Sequence, residues 1–157
     1  MNSPRITIDE VALASTPAKA MMACAEDELD RRYGIDTDRH PFDETAFEAP
    51  RGVFLVARVG GHLAGCVGLR EVAQGVAEIK RLWIRPDLRR MGLAKTLMDE
   101  VERRGFELGH ELLELETGTK QPEAVAFYRK QGWTQVETLP VKVSDYPLAQ
   151  RFIKPRP

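Results

Sequence analysis

The chain has 157 residues, 43% hydrophobic and 30% charged, with a formal net charge of −1. That is enough apolar chain for one domain with a real core, and it gives no electrostatic reason to expect a nucleic-acid partner. Two cysteines and three isolated histidines exclude a disulfide framework and a metal cluster. No apolar run approaches the roughly 20 residues of a membrane span, and the opening MNSPRITIDE is too polar for a signal peptide. We therefore expect a single domain over 1–157, reduced and intracellular (cytoplasmic in a bacterium), with no membrane association.

In chain order, residues 4–10 carry Ile6 and Ile8 in alternation and read as a first strand. Thr16 followed by Pro17 reads as N-cap and first helical residue. Met21, Ala25, Leu29 and Tyr33 follow at helical spacing, and Gly34 ends the helix. Residues 35–52 look irregular, with a short helix around 42–47. VFLVARV, Gly60–Gly61 and HLAGCVGL (53–69) read as a β-hairpin with a two-residue turn. A third strand covers 76–84.

An amphipathic helix runs from Gly92 to about Leu108, with Leu93, Leu97, Val101 and Leu108 on one face. Asp99 and Arg103 are expected to pair on the other face, and Gly109 ends it. LLELET (112–117) is a strand, and Pro122 opens a short helix that Gly132 closes. WTQVE (133–137) and RFIK (151–154) complete the sheet. The pattern predicts a mixed α/β (α+β) layer, mostly antiparallel, with one parallel strand pair in the middle.

Charge is uneven along the chain. Lys80 to Lys95 holds six basic residues against one acid, and Pro17 to Glu48 holds nine acids against four bases. The basic stretch contains a strand, a turn at Pro86, two arginines and Gly92 at a helix start. A helix N-terminus offers unpaired N–H groups and partial positive charge, which suits a phosphate. Three phosphate-loop templates compete there. GxxxxGK[ST] fails because Ala94 and Arg89 stand where its glycines should be, and GxGxxG is absent. Arg/Gln-x-x-Gly-x-Gly/Ala fits Arg89–Arg90–Met91–Gly92–Leu93–Ala94.

With EIKRLWIRP running into RRMGLA, the strand LLELET, and PEAVAFYRKQGW at the expected spacing, the chain resembles the GNAT (GCN5-related) N-acetyltransferases over about 53–138. The resemblance implies the acyl-CoA N-acyltransferase fold, with a splayed parallel strand pair, and acetyl-CoA as cofactor. It implies that backbone amides from Met91 through Gly92, Leu93 and Ala94 to Lys95 hold the pyrophosphate, with Arg89 and Arg90 helping. Leu82, Trp83 and Ile84 would pair with the pantetheine arm as an added strand. Gln121 stands where many relatives have an asparagine that contacts that arm. Tyr128 would donate a proton or hydrogen bond to the departing thiolate.

Amine attack on a thioester also needs a base, because an ammonium must first lose its proton. Glu78, on the strand expected to face the acceptor, is the candidate. Alternation groups it with Lys80 and Leu82, away from Ile79, Arg81 and Trp83, without fixing which face meets the pocket. Cys24 and Cys66 read as buried small hydrophobes, and the reaction requires no covalent enzyme intermediate; no metal is expected. The expected activity is N-acetyl transfer to a primary amine of a small molecule. A protein or peptide amine, or acyl-CoA sensing without turnover, are the rival readings. Relatives are often dimers, so the resemblance allows a homodimer.

Overall fold

The structure, a computed structural model, describes residues 3–34, 43–118, 122–141 and 149–157. The elements in chain order are β1 (Ile6–Glu10), α1 (Thr16–Tyr33), a 3-10 turn (Glu44–Phe47), β2 (Val53–Val59), β3 (His62–Ala73), β4 (Val76–Ile84), a second 3-10 turn (Pro86–Leu88), α2 (Leu93–Glu107), β5 (Leu112–Gly118), α3 (Pro122–Lys130), β6 (Thr134–Val136) and β7 (Ala149–Pro155). Among the described residues seven strands form one sheet, in the order β1-β2-β3-β4-β5-β7-β6. β4 and β5 run parallel, and the other neighbours run antiparallel. The mixed sheet with a central parallel pair is therefore present.

Two apolar clusters cover the two faces. Leu93, Leu97, Met98 and Val101 of α2 pack with Leu55, Val67, Ile79, Leu113, Tyr128 and Phe152. On the opposite face Ala18, Met21 and Ala25 of α1 pack with Phe47, Phe54, Val56, Cys66 and Trp83. Both helices bury the stripe that their 3.6-residue period sets. Gly68 allows the close approach on the α1 side, where a Cβ would lie 2.8 Å from the Phe47 ring.

The structure corrects several local expectations. Ser15, not Thr16, caps α1, with its Oγ accepting from the Ala18 N–H at 3.4 Å. Thr16 is already helical and Pro17 sits in the first turn, where its missing N–H costs nothing. Only Glu44–Phe47 of the expected 42–47 helix is formed, as a 3-10 turn, and 35–42 lie outside the described residues. Asp99 pairs with Lys95, while Arg103 takes Glu100 and Glu107.

The correction that matters most for the site is in β4. Cys66 pairs with Trp83 and Gly68 with Lys80, so β4 carries one residue more than β3 over this stretch. This is a bulge, and Arg81 holds a φ of 60° within it. An extra residue reverses the alternation beyond it. Leu82 therefore joins the face of Ile79, and Trp83 joins the α1 face, opposite to the strict alternation expected from sequence. The Cys66 thiol donates to the Arg81 carbonyl at 3.3 Å, satisfying an acceptor that the bulge turns out of the ladder.

Candidate functional site

β4 and β5 pair only at Val76 with Leu112, Ala77 with Leu113 and Glu78 with Glu114. Beyond that point β4 stays with β3 as far as Ile84, and β5 stays with β7 as far as Gly118. The two strands diverge, and a cavity of about 540 Å³ occupies the gap. Its wall comprises Ala25, Glu28 and Leu29 of α1, Ile79 to Ile84 of β4, Leu115 to Gly118 of β5, and Glu123, Ala124, Phe127 and Tyr128 of α3. The volume lies in the range of small-molecule and cofactor sites.

One end of the cavity is the loop into α2, contributed by Leu88, Arg89, Arg90, Gly92, Leu93, Ala94 and Lys95. Arg90 and Gly92 hold φ values of 71° and 79°. Left-handed residues in succession with ordinary ones turn backbone N–H groups toward a common point. Gly92 is the N-cap of α2 and no side chain caps it, so the first amides of the helix remain for an anion. A Cβ at Gly92 would meet nothing within 4 Å, so the space in front of it is open.

The charged side chains of this loop divide into two kinds. Arg89 is committed to the protein: its Nε donates to the Ile84 carbonyl at 2.9 Å and its Nη2 to Glu28 of α1 at 2.6 Å. Arg90 is exposed, and Lys95 pairs with Asp99 at the surface. Met91 is 48% exposed and is not part of the cavity wall, although Leu82, Trp83, Ile84, Leu93 and Ala94 are. Gln121 lies outside the described residues.

Tyr128 is buried in the wall at the other end. Its ring is enclosed by Phe127, Phe152 and Trp133 at centroid distances of 5.4, 5.7 and 6.3 Å. Burial, and then the nearby Glu102 charge, push its phenol above the ordinary value. The hydroxyl stays protonated at neutral pH and can donate.

Glu78 is 1% exposed and is not part of the wall. Its Oε1 lies 3.2 Å from Arg70 Nη2 and 3.7 Å from Lys80 Nζ. The carboxylates that do line the cavity are Glu28, Glu116 and Glu123; Glu28 belongs to the acidic 17–48 stretch, whereas Glu116 and Glu123 were not named from the sequence for the site. Glu116 had a signal: it lies two residues beyond Glu114, so strand alternation puts both on one face. Glu28 follows the Ala25–Leu29 stripe closely enough to share its face. Among the described residues no group of His, Cys, Asp and Glu could hold a metal ion, and no helix is long and apolar enough to cross a membrane.

Residues 18–133 match the model of the acetyltransferase (GNAT) family. An IAA acetyltransferase of Azospirillum brasilense is 31% identical over 134 residues, which covers 83% of this chain and 85% of that protein. A GNAT-family acetyltransferase of Staphylococcus aureus matches in structure with a TM-score of 0.79 at 18% identity, over 96% of this chain and 99% of the other. The PaiA N-acetyltransferase of Thermoplasma acidophilum, solved in complex with coenzyme A, matches with a TM-score of 0.70 at 19% identity, over 97% and 99%. At these identities the two structural matches establish the fold.

Proposed function

The chain belongs to the GNAT acetyltransferase family, and from that premise we propose that it moves the acetyl group of acetyl-CoA to a primary amine of a small molecule. The observation that carries this reading is the divergence of β4 and β5 between an uncapped helix N-terminus and the buried Tyr128. The residues present suit a CoA thioester. The Arg90–Gly92 turn and the first amides of α2 would hold the pyrophosphate, and the open space before Gly92 admits it. The β4 edge at Leu82, Trp83 and Ile84 would take the pantetheine arm by strand addition. Bound acetyl-CoA supplies an activated acyl carbonyl and a thiolate leaving group.

The chain's own groups do the rest. Tyr128 keeps its proton and donates it toward the leaving sulfur. The amine's proton leaves toward a carboxylate: Glu116 lines the wall, paired with Arg151 at 3.3 Å, and Glu78 lies outside it, paired with Arg70 and with the wall's Lys80. Glu28, Glu116 and Glu123 line the wall as ion pairs with Arg89, Arg151 and Arg32, so an amine would meet individual carboxylate oxygens there rather than a net negative charge. α1 covers one side of the gap through Ala25, Glu28 and Leu29, and a gap covered in this way favours a small amine over a polypeptide.

The test is thiol release from acetyl-CoA with a panel of small primary amines, beside calorimetric titration of CoA. Turnover with at least one amine is expected. In Glu78→Gln the loss should be largest at low pH, where a base has most to do. The absence of both turnover and CoA binding overturns the proposal, and an unchanged pH profile in Glu78→Gln removes that residue's part in it.

A further inference from the structure

Glu102 is a buried carboxylate that the chemistry above does not use. It lies on α2 beside Val101, with its side chain only 9% exposed. Burying a carboxylate costs several kcal/mol unless it is well partnered. Here both oxygens are engaged. Oε1 accepts from Lys154 Nζ of β7 at 2.5 Å, and Oε2 accepts from the indole Nε1 of Trp133 at 3.2 Å. Lys154 also donates to the Gln131 carbonyl at 2.9 Å. One carboxylate thus ties α2, β7 and the turn that follows α3 into a single network.

That turn sits directly behind Tyr128. The Trp133 N–H donates to the Tyr128 carbonyl at 3.1 Å, and the Trp133 ring meets the Tyr128 ring edge-on at 6.3 Å. Among the described residues no hydrogen bond engages the Tyr128 hydroxyl. Its aim is therefore set by ring packing against Phe127, Trp133 and Phe152. Of those three walls, Trp133 is the one with a polar anchor. A hydrophobic replacement of a buried ion pair is often as stable as the pair itself, so stability alone gives this carboxylate little reason to be here.

We propose that Glu102 is a positioning residue for Tyr128, acting through Trp133 and Lys154 to hold the phenol at the angle from which it donates. The inference rests on the donor role proposed for Tyr128. It assigns Glu102 no contact with either substrate. A small rotation of the Tyr128 cage moves the hydroxyl away from the sulfur without altering the phosphate loop or the β4 edge.

The experiment is a double-mutant cycle on kcat with Glu102→Gln and Tyr128→Phe. Glutamine presents an NH₂ to one of the two donors, so one contact is lost while side-chain volume is kept. Glu102→Gln should lower kcat about five- to tenfold, with KM for acetyl-CoA within about twofold, since misplacing a reacting group costs rate rather than binding. In the Tyr128→Phe background the same change should cost less than about twofold, because the group being aimed is gone. An equal loss in both backgrounds marks a merely structural role and overturns the proposal. If Tyr128→Phe alone leaves kcat unchanged, it is the donor reading that fails, and the aiming role falls with it. Should Glu102→Gln not fold, Trp133→Phe removes the same hydrogen bond while keeping an aromatic ring, and the same non-additivity with Tyr128→Phe decides the matter.

Discussion

In the proposed reaction the Tyr128 phenol and the Gly92 backbone set the two ends of the chemistry. A phenol normally ionises near about 10. Burial first, then the Glu102 charge, raise it here, so the proton-bearing form persists through that pH. With saturating substrates, kcat should show no descending limb centred near about 10, and a pH–rate profile with such a limb would contradict a buried, protonated donor. Gly92 holds a φ of 79° with open space before its Cα. Gly92→Val should cost about 1–2 kcal/mol of stability through left-handed strain. It should also weaken CoA binding at least about tenfold, because a side chain would fill the anion cradle. Calorimetry beside thermal unfolding separates the two effects, and normal CoA affinity would move the pyrophosphate elsewhere.

At the scale of elements, α1 is held across the cavity by two ion pairs one turn apart. Glu28 reaches Arg89 of the loop into α2 at 2.6 Å, and Arg32 reaches Glu123 at the start of α3 at 2.5 Å. Arg89 itself is anchored on the Ile84 carbonyl at the end of β4. The arginine that opens the RRMGLA motif therefore braces the loop from behind. Such a half-exposed pair contributes up to about 1 kcal/mol. Glu28→Gln should accordingly raise KM for acetyl-CoA about two- to fivefold and leave kcat alone. Steady-state kinetics checks this, and a fall in kcat at constant KM would mean that Glu28 serves the acceptor instead. The β4 bulge acts at the same scale. By turning Leu82 to one face and Trp83 to the other, it gives both halves of the cavity an apolar wall from one strand.

For the molecule as a whole, the sheet is sound where β4 meets β5 and split where the cavity begins, so the architecture and the site are one feature. Much of this was legible in the sequence. The apolar runs at 53–59 and 62–69 and the turn glycines marked the hairpin, and the Leu93–Leu97–Val101 stripe marked α2, because local sequence pattern decides such elements. The Glu78–Lys80–Leu82 grouping was misread, because a bulge depends on the partner strand and leaves no local mark on β4. Arg89's commitment to Glu28 was hidden for a similar reason: the two lie 61 positions apart. Tyr128 was legible as a motif residue, whereas its cage required three elements to be brought together.

A direct transfer also requires that no acetyl group rest on the protein. Cys66, the buried thiol of β3, is pushed up to about 12 by burial, far from a reactive thiolate at neutral pH. Rapid mixing of the enzyme with acetyl-CoA alone, followed by thiol detection and intact-protein mass measurement, is the most direct test. Direct attack within a ternary complex predicts thiol release only once an amine is added, with the protein mass unchanged. A stoichiometric burst of thiol without amine, matched by one acetyl group on the protein, would contradict it.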